Sequence, residues 1–198
     1  MKVILKPTGV ITMEFPHLYQ LVANNQFDTV YHEHFSYLSF YTVQQVFAAA
    51  GLTLFDVEEL PTHGGSLRIY GRHTEVTTHA VSPRVEAMLQ KEKTAGMKDM
   101  SYYQSFQQAA EKIKLDLLAF LVEQKRAGKK VAAYGAAAKG NTLLNFCGVK
   151  ADLVDYVVDA NPHKQDKFLP ASHIPVMNEQ YLKDHQPDFV IILPWNLK

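Results

Sequence analysis

With 198 residues, 47% hydrophobic and 20% charged, the chain is long enough for one large domain or two small ones, and its composition is globular rather than disordered. Twenty basic residues balance twenty acidic ones, so no global field recruits nucleic acid or an anionic membrane, and no stretch approaches the roughly 20 apolar residues of a membrane helix. The one cysteine, Cys147, excludes an internal disulfide framework and a multi-cysteine zinc site within this sequence; without a signal-peptide core after the first lysine, a cytoplasmic location is expected.

Three regions separate by pattern: residues 1–79, 80–128 and 129–198. In the first, Val10–Phe15 is a β-rich run after the turn residues Pro7, Thr8 and Gly9. A short helix is predicted over residues 42–50, with Val43, Val46, Phe47 and Ala50 on its apolar face, a Thr42/Gln45 capping box and Gly51 at its end. Strands follow over Leu52–Val57 and Ser66–Arg72. The middle region has helical periodicity nearly throughout, from Met88 and Leu89 to Ile113, Leu117, Leu118, Leu121 and Val122, with a break at Gly96, and reads as a helical linker. The cluster Lys125, Arg126, Lys129 and Lys130 complements the dipole at a helix end. The last region alternates strand and helix: strand Val131–Tyr134, a small-residue loop Gly135–Gly140, helix Thr142–Cys147 closed by Gly148, strand Val154–Asp159, strand Ile174–Val176, a helix over residues 179–185 and strand Phe189–Leu193. That alternation predicts a parallel, doubly wound sheet, an α/β fold.

Tyr31-His32-Glu33-His34 is the sharpest chemical feature. Read as extended chain, it puts His32 and His34 on one face and Tyr31 and Glu33 on the other. Histidine titrates near neutrality, and a neighbouring carboxylate orients its ring and stabilises the cation formed when it takes a proton, so the cluster suits proton abstraction beside a carbonyl. Three other readings stay open: a surface loop, a metal site joined by Glu14 or His63, and a structural role for His32. A second feature is His63-Gly64-Gly65-Ser66-Leu67-Arg68, whose glycines let backbone amides approach a ligand while His63 or Arg68 complements an anion or a sugar hydroxyl; the alternative is a tight turn entering a strand. The third is the stretch from Tyr134 and Gly135 through Lys139, Gly140 and Asn141 to Thr142. It lies between strand and helix, where amides attract phosphate, and Asp159 stands about 20 residues further on, near the spacing of a ribose-binding acid. The glycine spacing is neither that of a dinucleotide fingerprint nor of a P-loop, which disfavours an NAD-dependent oxidoreductase.

Taken in order, "LKPTGVITMEFPHL", "FDTVYHEHFSYLS", "GLTLFDVEELPTHGGSLRIYGR", "YGAAAKGNTLLN" and "HIPVMNEQYLKDHQPDFVIILPWN" resemble the nucleotide-sugar C-methyltransferase family, and they span nearly the whole sequence. The resemblance implies that residues 1–79 are the C-terminal third of a class I methyltransferase domain, an incomplete sheet, and that 129–198 are a Rossmann-like C-terminal domain. It implies a methyl transfer from S-adenosylmethionine to the carbon beside the ketone of a nucleotide-linked keto-deoxysugar, through an enolate. His34 is then the base, with Glu33 and Tyr31 orienting it and stabilising the enolate. His32 and the His63–Ser66 loop with Arg68 shape the sugar pocket, and Tyr134, Gly135, Lys139, Gly140, Asn141 and Asp159 face the nucleotide. Thr8 departs from the glycine common there. The family's zinc cysteines and the glycine-rich loop of the donor site are missing from this sequence, so a C-terminal fragment, truncated or from a split gene, inactive alone and without a metal, is expected. Association through an exposed sheet edge is a further expectation. The competing reading is a nucleotide or nucleotide-sugar binding module, residues 129–198 binding without catalysis.

Overall fold

The structure, a computed structural model, describes residues 1–197 and divides into two compact units. One comprises Met1–Gln26 with Phe35–Phe106; the other comprises Phe27–His34 with the residues from Gln107 onward. The chain is α/β, and the helical middle region is shared between the units rather than forming a body of its own.

The first unit is built on three strands, β1 (Ile11–Pro16), β2 (Leu52–Leu60) and β3 (Ser66–His73), with helices α1 (Leu18–Ala23), α2 (Phe40–Ala49) and α3 (Pro83–Ala95). The sheet order is β1-β3-β2 and both pairings are antiparallel, with Ile69 facing Met13 on one side and Val57 on the other. β3 is central because its apolar positions Leu67 and Ile69 are fully buried. Helices α2 and α3 pack on β2 and give Phe40, Val43, Phe47, Val85 and Met88 to the core. Helix α2 starts two residues earlier than its periodicity suggests, because Ser39 rather than Thr42 is its N-cap: the Ser39 hydroxyl accepts from the Thr42 amide. The stripe accordingly runs Phe40-Val43-Phe47 and leaves Val46 exposed.

The second unit carries a five-stranded sheet. Its elements are α4 (Phe106–Arg126), β4 (Val131–Tyr134), α5 (Ala138–Cys147), β5 (Val157–Val158), β6 (Lys167–Phe168), β7 (Pro175–Met177), α6 (Glu179–His185) and β8 (Phe189–Ile192). The order is β6-β7-β5-β4-β8, with β7, β5, β4 and β8 parallel and β6 an antiparallel edge. Alternation along β4 covers both faces: Val131 and Ala133 meet Leu121 of α4 and Leu144 of α5, whereas Ala132 joins Tyr156, Val158 and α6. That is the doubly wound arrangement. Two elements differ from their sequence patterns. Helix α5 begins at Ala138, so Lys139, Gly140 and Asn141 lie in its first turn, because Gly135 (φ +89°) makes the reversal within three residues. β5 keeps only two ladder residues of the expected six, since residues 150–154 fold into a turn closed by the Val154 amide on the Lys150 carbonyl. Among the described residues, no helix is long and apolar enough to cross a membrane.

Candidate active site

Tyr31–His34 is a turn, not extended chain: the His34 amide donates to the Tyr31 carbonyl at 3.0 Å, so the two-face reading of His32 and His34 does not hold. Polar side chains at the exposed turn positions His32 and Glu33 suit that geometry. The turn folds His34 back, its ring 4.3 Å from the Tyr31 ring, and leaves it half-buried. His34 Nδ1 lies 2.8 Å from the Thr29 carbonyl oxygen. A carbonyl only accepts, so Nδ1 carries a proton, and in the neutral ring Nε2 holds the lone pair. The group orienting this ring is therefore the Thr29 carbonyl; the exposed Glu33 is not hydrogen-bonded to it.

The turn belongs to the second unit, joined there by a single 3-10 turn, Phe27–Thr29. In the same unit, the carboxyl ends of the parallel strands bring together most of the third sequence feature. The Gly135–Ala137 turn leaves β4, and Asp159 leaves β5. Both Asp159 oxygens are occupied: Oδ2 accepts from the Ala136 amide at 2.7 Å and from Lys164 at 3.3 Å, and Oδ1 accepts from the Asn161 amide at 2.8 Å. Burial raises this carboxyl, and those donors outweigh it and hold it below the usual carboxylate range. Asp159 thus ties the β4 turn to the β5 turn. The Tyr134 hydroxyl donates to Glu179, which pushes the phenol up. Lys139 is buried, 6% exposed, with its ammonium 4.8 Å from the centroid of the Trp195 ring; burial lowers it, and Asp28 opposes that effect. A Cβ on Gly140 would meet Leu193 at 2.6 Å, so its glycine serves close packing. Asn141 differs: its Oδ1 is buried without a hydrogen-bond partner among the described residues, and its acceptor capacity is unused.

The His63–Arg68 feature lies in the first unit. His63 is exposed at φ +55° in a 3-10 turn, Gly64 offers its carbonyl to Gln26 Nε2 at 2.7 Å, and the Gly65 carbonyl accepts from the His17 amide at 3.0 Å. Ser66 is buried and donates to the Thr62 carbonyl; Arg68 pairs with Glu14, which Thr62 also contacts. These contacts make the loop a built turn on α1 as well as the wall of a cavity of about 470 Å³ lined by His17, Gln20, Glu59, Gly64, Gly65 and Ser66.

Two polar centres escape a sequence reading. In the first unit the Glu92 carboxylate accepts from His17 Nε2 at 2.7 Å and from the Phe40 and Tyr41 amides at 2.6 and 2.9 Å. A visible signal existed: Glu92 follows Val85 and Met88 at buried-stripe spacing, so an acid stands where α3 calls for an apolar residue. In the second unit Asp28 accepts from Trp195 Nε1 at 2.6 Å; nothing local in the sequence marks it. Among the described residues, no three of His, Cys, Asp and Glu cluster as a metal site would require.

Residues 61–198 match the family described as the C-methyltransferase C-terminal domain, more than half of the chain, and the protein belongs to that family. Over 193 residues it is 35% identical to the C-methyltransferase NovU of Streptomyces niveus, an alignment covering 98% of this chain and 46% of that protein; the chain spans about half the length of the curated relative it matches. The first unit's sheet is antiparallel, without the parallel strand–loop–helix crossover that cradles a nucleoside, and the Gly135 turn of the second is packed against Pro194, 2.6 Å from where a Cβ would stand.

Proposed function

We propose that this chain is the acceptor side of a sugar C-methyltransferase, and that His34 Nε2 is the base that takes the proton from the carbon beside the ketone of a nucleotide-linked keto-deoxysugar. The observation that supports it is the hydrogen bond from Nδ1 to the Thr29 carbonyl, which leaves Nε2 as the lone-pair nitrogen on a half-buried ring. As the proton moves to Nε2, the C–H electron pair becomes the enolate double bond and the charge settles on the ketone oxygen. The Tyr31 ring, 4.3 Å from His34, shields the imidazolium that forms, and Tyr31 helps to stabilise the enolate. The methyl group comes from S-adenosylmethionine held by residues outside this chain. Of the stretch after the β4 turn, Asn141, whose buried Oδ1 has no hydrogen-bond partner among the described residues, is the residue assigned to the nucleotide part, whereas Asp159 and Lys139 act mainly through the fold.

The test is His34→Ala in the methyltransferase that contains this chain. Methyl transfer is expected to fall by about 10²- to 10⁴-fold while sugar-nucleotide affinity changes by no more than about threefold. Exchange of the sugar's α-proton with deuterium from solvent, followed by NMR without donor, should disappear in parallel. Turnover near that of the unsubstituted enzyme would refute the reading.

A further inference from the structure

The base's tautomer depends on one backbone carbonyl, and the residues around that carbonyl are unusual. Phe27, Asp28 and Thr29 form a single 3-10 turn, and all three are buried, Asp28 to 6% and Thr29 to 2% exposure. Phe27 packs at a tilt against Phe146 of α5, with ring centroids 4.8 Å apart and planes 52° apart. Asp28 Oδ2 accepts from Trp195 Nε1 at 2.6 Å; Trp195 in turn lies under the Lys139 ammonium, and Lys139 and Asp28 attract each other. The next residue, Thr29, supplies the oxygen that accepts from His34 Nδ1.

Burying a carboxylate and an ammonium carries a desolvation cost that an apolar trio of the same volume would avoid. The polar set adds direction. The turn is closed by the Val30 amide on the Phe27 carbonyl, and the Thr29 carbonyl also accepts from the Tyr31 amide; the hydrogen bond from the rigid indole to the adjacent carboxylate gives this small unit a fixed direction. Rotation of this turn would swing the Thr29 carbonyl away from His34 and release the ring to the other tautomer, with the proton on Nε2.

We propose that Asp28, held by Trp195 and Lys139, is a positioning residue for His34: it fixes the Thr29 carbonyl so that the ring keeps its proton on Nδ1 and presents Nε2 to the acceptor sugar. The inference rests on the reading of His34 as the base. Burial pushes the Asp28 carboxyl up, opposed by the Trp195 N–H and by Lys139, in keeping with a group whose environment is set by those two partners.

The experiment compares Trp195→Phe and Asp28→Leu in the methyltransferase containing this chain. It reads kcat, KM and the tautomer of His34 from long-range ¹H–¹⁵N spectra of its imidazole. The unsubstituted protein should show the Nδ1–H tautomer. Trp195→Phe keeps the ring and deletes the donor, and should give a mixture of tautomers with kcat lower by about 10- to 100-fold and KM within about twofold. Asp28→Leu should behave alike, and Asp28→Asn, which retains an acceptor oxygen for the indole, should recover most of the loss. If Asp28→Leu fails to fold, Trp195→Phe decides. An unchanged tautomer and kcat in Trp195→Phe overturns the positioning role even when His34→Ala is inactive; an active His34→Ala enzyme overturns the base assignment instead.

Discussion

Replacing Glu92 tests whether the first unit depends on one buried carboxylate. Its side chain is 2% exposed and accepts three hydrogen bonds, from a histidine that is 1% exposed and from the first two amides of α2. Glu92→Ala orphans all three donors; at about 1–3 kcal/mol for each unsatisfied buried group, and allowing for partial relaxation at the helix end, the expected loss is about 3–5 kcal/mol. Glu92→Gln keeps one accepting oxygen but turns an amide towards donors, and should lose about 2 kcal/mol. Burial alone raises the Glu92 carboxyl; the bonds from His17 and the Tyr41 and Phe40 amides outweigh it and place the group below its ordinary value of 4.5. A carboxyl depressed in the folded state binds fewer protons than in the unfolded chain. Its contribution is therefore complete well above pH 4.5 and is lost as pH falls through the lower folded value. Urea denaturation followed by far-UV circular dichroism at pH 7 and at successively lower pH measures the difference between wild type and Glu92→Gln. Amide exchange at Phe40 and Tyr41 reports the helix end directly. A Glu92→Ala protein within about 1 kcal/mol of wild type at pH 7, or a gap that widens in acid, would refute this account.

The second unit yields two further expectations. Gly135→Ala must place a methyl against the rigid Pro194 ring at 2.6 Å while holding φ at +89°, so a loss of about 2–4 kcal/mol is expected from denaturant titration. Asp159→Asn removes the charge that draws the Ala136 and Asn161 amides and Lys164 together, which should cost about 1–2 kcal/mol at neutral pH. Because the folded carboxyl lies below its ordinary 3.8, that advantage over the asparagine variant should persist above this value and vanish as pH falls beneath it, read as converging acid-unfolding curves.

The sequence makes the secondary structure readable wherever periodicity and a stop signal coincide. β4 and α6 lie where their patterns place them, and α5 ends at Gly148 as the glycine suggests. Starts were harder. Ser39 and Thr42 are both competent caps three residues apart, and the choice falls to Ser39 because Phe40, fully buried, must join the helical stripe. The Tyr31–His34 turn defeats an alternation argument because four polar residues carry no hydrophobic period to follow. Asp159 and Lys139 have the residue types and spacing of ligand contacts, yet their partners are a backbone amide 23 residues away and an indole 56 positions on, pairings that only the fold creates. Glu92 was legible in principle as an acid on a buried stripe; His17, 75 residues before it, was not.

The hydrogen bond between Asp28 and Trp195 spans 167 residues of chain, and that separation has a kinetic meaning. At a synthesis rate of about 5–20 residues per second, the indole follows its partner by about 10–30 s. Throughout that interval the turn that carries Asp28 exists without the indole whose N–H its carboxylate accepts. The side chain proposed as the base is thus made before the residue proposed to set it. On the role proposed for this contact, a nascent chain stalled before Trp195 would carry an imidazole whose tautomer is not yet set.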